Sequence, residues 1–289
     1  MMPLWIDTDA CHDDSIALLL ACALPYFDLI GISTTYGKVS LDYATRNATS
    51  ILSALQVENI LVFPGEAKPA VGKLPPQVEG SGLDGTGLLS LPQGPKQPDH
   101  SALSALASVL ERQPPQQLCI ACLGPLTNIA SLALNHPELI PLIDVISISA
   151  GIDNCNLTAD PHATDIILNL VDVIAPHVPP GTQVPQVLIA EPTPELHLSP
   201  MVLEHIKRGI NLDKYTVFRQ MMFELLAYYA DHVTPDVCDP VAILSLLPQR
   251  LGIDLGIAFT DSGLVKITDP EPLWKLVLES IEELEASDM

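Results

Sequence analysis

Four carboxylates fall within eight residues, Asp7-Thr8-Asp9-Ala10-Cys11-His12-Asp13-Asp14, where an apolar run (Leu4, Trp5, Ile6) gives way to a helical one (Ile16 to Leu24). A strand that ends in an acidic loop and then opens a helix is the start of an α/β unit. Like charges this close repel one another unless something positive lies among them, and a hard divalent cation satisfies several oxygen ligands at once. The position suits such a site, because ligands of open α/β sheets bind beyond the carboxyl ends of the strands. A helix dipole accounts for Asp13 and Asp14 at the helix start, but not for Asp7 and Asp9.

The rest of the chain repeats the alternation. Strand-like runs at 29–34, 60–63, 118–122, 145–149 and 187–190 lie between helical spacings at 44–55, 102–110, 127–134, 163–171, 201–210, 214–230 and 240–247. Two short apolar runs, 255–259 and 263–267, bracket Thr260-Asp261-Ser262 as a hairpin, and 273–284 reads as a closing amphipathic helix. Residues 71–99 are Gly/Pro-rich without period and read as loop. Strands alternating with helices predict a mostly parallel, Rossmann-like open sheet flanked by helices. With 289 residues, no internal repeat and no clear linker, a single domain over 1–289 is expected.

Composition narrows the partners. The formal charge is -22, with 35 acidic against 13 basic residues. Nucleic-acid backbones and anionic membrane surfaces are bound by Lys and Arg, so both are disfavoured. The same field favours a neutral small molecule over a phosphate ester. No apolar run reaches the ~18 residues of a membrane span, and the start Met1-Met2-Pro3 followed by a strand shows no signal peptide, so a cytoplasmic location is expected. Six cysteines in such a chain do not suggest a disulfide framework. Cys119 and Cys122 have Cys-x-x-Cys spacing inside an apolar strand and read as core.

The pattern Asp-Thr-Asp-x-x-x-Asp-Asp at the first strand end resembles the nucleoside hydrolases, calcium-dependent N-ribohydrolases that prefer inosine and uridine. Further segments carry the resemblance in the family's order: Ile32 to Gly37 with its Thr34-Thr35 exit, Arg46-Asn47-Ala48, Pro64-Gly65-Glu66-Ala67-Lys68-Pro69, Gly82-Leu83-Asp84-Gly85-Thr86-Gly87, Gly124-Pro125-Leu126-Thr127-Asn128-Ile129-Ala130, and Cys238-Asp239-Pro240-Val241-Ala242. Together they span nearly the whole chain. The resemblance implies a calcium site of Asp9, Asp14, Asp239 and the Leu123 carbonyl, with Asp9 also the base that takes a proton from the attacking water. It implies that Asp13 holds ribose hydroxyls from outside the metal shell, that Asn156 matches the family's sugar-binding Asn, and that the assembly is a homodimer or homotetramer.

The chain also departs from the family. Ala10-Cys11 replace the usual Pro-Gly, Lys38 stands for an Asn, Ser81 for a frequent His, Asn154 for a Glu, and Cys238 for the His that helps the base depart. The loop between Gly151 and Asn154 is too short for a further ribose-binding Asn. Lys38 is expected to pair with Asp9 or Asp13, to reach an anionic substrate group, or to lie solvated on its loop. The expected activity is hydrolysis of a ribonucleoside or related N-riboside with a calcium-bound water. The alternatives are a catalytically silent ribose-binding protein, a hydrolase of altered substrate, and an enzyme using Cys11, Cys155 or Cys238, against which free cysteines are commonly buried without chemistry.

Overall fold

A computed structural model describes residues 1–11, 13–77, 100–191, 200–210, 216–232 and 238–287. Ser81, the Gly82–Gly87 segment and His12 lie outside the described residues.

The chain opens with β1 (Met2–Thr8), whose side chains alternate between two cores: Leu4 and Ile6 face one, Trp5 the other. Then follow α1 (Asp14–Ala23), β2 (Phe27–Thr34), α2 (Leu41–Ala54) and β3 (Val62–Pro64). Ser40 caps α2 by accepting the Tyr43 N–H, the role a serine takes at a helix start. The second half-sheet runs α3 (Ala102–Arg112), β4 (Leu118–Cys122), α4 (Thr127–Asn135), β5 (Ile143–Ser149), α5 (Cys155–Ala159), α6 (Pro161–Leu168), α7 (Leu170–Ile174) and β6 (Gln186–Ala190). The chain closes with α8 (Pro200–Ile210), α9 (Val217–His232), α10 (Asp239–Leu244), α11 (Leu246–Leu251), the hairpin β7 (Ile257–Phe259) and β8 (Leu264–Ile267), and α12 (Glu271–Ser287).

The eight strands form one sheet in the order β3-β2-β1-β4-β5-β6-β8-β7. All neighbours are parallel except β7 and β8, which form the expected antiparallel pair. The mostly parallel open sheet is therefore as the alternation predicts. Helices cover both faces: Ile16, Leu20, Leu244 and Val277 pack on one, and Leu110, Ile129, Leu132 and Ile167 on the other. Cys119 faces the first core and Cys122 the second, both buried and unbridged, so the Cys-x-x-Cys spacing is core.

Several boundaries differ from the sequence reading for local reasons. The helix expected over 163–171 breaks at Asn169, whose amide donates to the Asp165 carbonyl and competes with the next helical bond. The helix expected over 240–247 breaks at Ser245, whose hydroxyl donates to the Ala242 carbonyl. A 3-10 segment over Pro137–Leu142, carrying two prolines, leads into β5 two residues earlier than expected.

The direction of chain growth reverses between β1 and β4, which are neighbours with β2 outward on one side and β5 on the other. Such a switch point leaves a crevice at the carboxyl ends of the strands. Asp9 follows β1 and Leu123 follows β4, so the acidic loop opens onto that crevice.

Candidate functional site

The crevice is a cavity of about 300 Å³ lined by the exits of β1, β2, β4 and β5 and by the start of α10. Asp9, Asp13, Asp14 and Asp239 supply its carboxylates, and Leu123, Pro75, Pro76 and Pro125 much of its apolar wall. Every carboxylate quoted above for the metal and the sugar is thus brought to one place, although Asp239 is 225 residues from Asp14 in the chain.

Local bonding fixes Asp14, Asp13 and Asp9. Asp14, at the start of α1, accepts from the Thr8 hydroxyl through Oδ1 and from the Cys11 N–H at 2.9 Å through Oδ2. Ala10 takes a left-handed conformation (φ 47°), with its N–H donating to Thr8 Oγ1 at 2.8 Å. The Asp13 Oδ2 accepts the N–H groups of Cys238 (2.9 Å) and Asp239 (3.1 Å), which ties the start of α1 to the start of α10. The Asp9 Oδ2 accepts the Lys38 N–H at 2.8 Å. Gly37 packs so tightly on Asp9 that a Cβ there would overlap its carboxylate.

Oxygens of Asp13, Asp14 and Asp239 lie within 4.8 Å of one another, a spacing that suits a cation. Asp13 belongs to this trio, whereas Asp9 stands beside it, held by Lys38. Burial, reinforced by the neighbouring carboxylates, drives Asp14 and Asp239 well above the usual carboxylate range. Burial likewise raises Asp9 to about 6, with Asp13 adding to the rise and the Lys38 N–H and ammonium opposing it. A cluster that cannot ionise fully by itself is one that a bound cation would stabilise.

Leu123 presents its carbonyl to the Asn156 amide at 2.8 Å, and the same amide donates to the Ser149 carbonyl at 3.1 Å. Asn156 is buried and lines the cavity. Asn154 is exposed, in a left-handed conformation (φ 58°), and is not among the lining residues. Lys38 lines the cavity on the exposed side, and its ammonium acts electrostatically on Asp9, Cys11 and Cys155.

Cys11, Cys155 and Cys238 all line the cavity. Burial, and then the surrounding acids, hold the Cys11 thiol well above its ordinary range and push Cys155 up to about 11. Thiols so protonated at neutral pH are poor nucleophiles. None of the described histidines lines the cavity. The apolar wall of Pro75, Pro76 and Ala159 carried no chemical signature in the sequence; only its place in the fold reveals it.

Beneath the cavity lies a second polar layer. Asn128, in the first turn of α4, donates to Asp7 Oδ1 (2.7 Å) and the Thr34 carbonyl (3.0 Å) and accepts the Glu66 N–H (2.8 Å). Asp160 accepts from the Thr127 hydroxyl (2.9 Å) and the Ala163 N–H (3.0 Å). Thr127 in turn shares a 2.9 Å bond with the Tyr36 hydroxyl.

Comparison with known proteins matches residues 4–271 to the family model of the inosine-uridine preferring nucleoside hydrolases. The chain is 29% identical over 270 residues to the uridine nucleosidase of Saccharomyces cerevisiae, covering 85% of this chain and 76% of that one. It is 35% identical over 179 residues to the pyrimidine-specific ribonucleoside hydrolase RihA of Salmonella newport, where the match spans 57% of this chain and about half, 56%, of the relative. Among solved structures, an inosine-guanosine nucleoside hydrolase superposes with a TM-score of 0.77 at 22% identity, covering 97% of this chain and 98% of that chain. A purine-preferring ribonucleoside hydrolase from Gardnerella vaginalis does so with a TM-score of 0.77 at 20% identity, over 98% and 99%.

Proposed function

Since the chain belongs to the inosine-uridine preferring nucleoside hydrolase family, we propose that it hydrolyses the N-glycosidic bond of ribonucleosides, with Asp14, Asp239, Asp9 and the Leu123 carbonyl holding a calcium ion. The observation that carries this reading is the convergence of four buried or half-buried carboxylates at the sheet's switch point. The donor set is oxygen-only, which fits a hard cation and not a soft one. Bound there, calcium would orient a water and lower its pKa.

The remaining chemistry belongs to the chain. Asp9 is held by the Lys38 N–H through one oxygen, leaving the other to take a proton as the water oxygen bonds to the anomeric carbon. The bond from that carbon to the base nitrogen breaks, and its electron pair leaves with the base. Asp13, committed to α10 through Oδ2, offers Oδ1 to the sugar hydroxyls, beside Asn156. Positive charge that develops on the sugar ring is stabilised by the anionic floor. Lys38 and Cys238 face the substrate, and Ser81 is assigned to the same role by its place in the sequence. A cytoplasmic setting and a homodimer or homotetramer belong to this reading; no described helix is long and apolar enough to cross a membrane.

Ribose release from a panel of ribonucleosides tests the reading. Reducing sugar should appear from at least one ribonucleoside, and 2′-deoxyribonucleosides should react more slowly because the 2′-hydroxyl would serve as a cation ligand. Binding of ribose without turnover of any member would favour the silent ribose-binding alternative.

A further inference from the structure

Asp7 is the one carboxylate of the opening motif that does not reach the cavity. It is fully buried on β1. Its Oδ1 accepts two bonds, from the Ser33 hydroxyl on β2 and from the Asn128 amide on α4. Its Oδ2 is buried with no partner. An arrangement that leaves one oxygen bare in the core while concentrating two donors on the other is costly, and it calls for a reason beyond packing.

The bonds lead outward to the site in a continuous series. Asn128, fixed by Asp7, grips the Thr34 carbonyl and the Glu66 N–H. The exits of β2 and β3 are bound to each other as well, through Gly65 N–H to Thr34 O (2.9 Å) and Tyr36 N–H to Glu66 O (3.2 Å). Gly65 lies so close to Asn128 that a Cβ would overlap its amide. The β2 exit then runs through Gly37 to Lys38, whose N–H orients Asp9. On the other side, the Asp7 carbonyl accepts the Leu123 N–H at 2.7 Å, which joins the exits of β1 and β4.

We infer that Asp7 and Asn128 form a clamp that positions Asp9 for the reaction, acting through the exits of β2 and β3 without touching substrate. The inference rests on the function proposed above. Groups that orient ligating residues typically change metal affinity or activity 10–100-fold when removed. D7N keeps an oxygen where Oδ1 accepts both bonds, whereas D7A and N128A break the series.

Two measurements on the full chain test the clamp, with R219A as a control destabilised far from the site. The first is amide hydrogen exchange without added metal. Exchange at Lys38, Tyr36 and Gly65 should accelerate in D7A and N128A, and stay near wild type in D7N and R219A. Unchanged exchange in D7A and N128A, or equal acceleration in R219A, overturns the clamp. The second is calcium affinity by calorimetry. D7A and N128A should bind 10–100-fold more weakly, with D7N near wild type. Wild-type affinity in D7A and N128A overturns the clamp. A wild-type protein that takes up no calcium overturns the proposed metal site instead, and the exchange result then decides the clamp by itself.

Discussion

At the residue scale, the site is governed by how burial and charge act on single carboxylates. Asp9 rises from 3.8 to about 6, and Asp7 from 3.8 to about 7, both chiefly by burial. A carboxyl whose folded pKa exceeds its unfolded value holds its proton more tightly when folded. Metal-free protein should therefore lose stability as pH rises from about 4 toward 7. Asp9 alone accounts for on the order of 3 kcal/mol, since each tenfold gain in proton affinity is worth about 1.4 kcal/mol. Thermal unfolding of chelated protein across that range should show the fall, and calcium should reverse it at pH 7. A flat profile would mean that the acids are solvated. Asp14→Ala should abolish saturable calcium uptake in a titration, since the other acids are left to repel one another. Gly37→Ala should displace the Asp9 carboxylate and cost about 10²-fold in kcat, the usual penalty of moving a reacting group by ~1 Å. Cys238 stands where a leaving-group acid is expected, and a thiol gives up its proton poorly near neutral pH. Nitrophenyl riboside should then be cleaved far faster than inosine. Cys238→His should raise inosine turnover more than nitrophenyl riboside turnover, by less than the ~10²–10⁴ of full acid catalysis, because Asn154 and Lys38 have also changed. Equal wild-type rates on the two substrates would show that another acid is present.

At the element scale, a buried arginine joins α8, α9 and α12. Arg219 on α9, only 4% exposed, meets Glu285 on α12 at 2.6 Å and also donates to the Ile206 carbonyl on α8 at 3.3 Å. Removing one partner of a buried pair leaves the other uncompensated, so R219A should lose about 3 kcal/mol in denaturant unfolding while calcium affinity stays unchanged. Legibility in the sequence also divides by element. β4 was readable to its ends, 118–122, because a strand buried on both faces is a continuous apolar run between turn signals. The breaks at Asn169 and Ser245 were not, because a side chain returning to its own helix leaves the apolar period intact. The carboxylates of the site were legible because their spacing matches a motif. The bond that joins Asp7 to Asn128 was not: its partners lie 121 apart in the chain, and no local pattern encodes a partner so distant. Asn154 shows the converse, a counted position that the fold leaves exposed outside the cavity lining.

At the scale of the whole molecule, the parallel sheet gathers its loops at one edge, and the order β3-β2-β1-β4-β5 places the crevice between β1 and β4. The cavity is therefore a consequence of topology, and the acids give it chemistry. A net charge of -22 sets up a field that attracts cations and repels phosphate esters. Ribonucleosides should be preferred over their 5′-monophosphates in kcat/KM, with the difference shrinking as salt screens the field. The most direct test of the central claim is ribose release from uridine by chelator-stripped protein, with and without added calcium, beside Asp14→Ala. Stripped protein should be inactive, calcium should restore turnover, and the variant should stay inactive at every calcium concentration. Full turnover by stripped protein, or none from any ribonucleoside when calcium is bound, would contradict the claim.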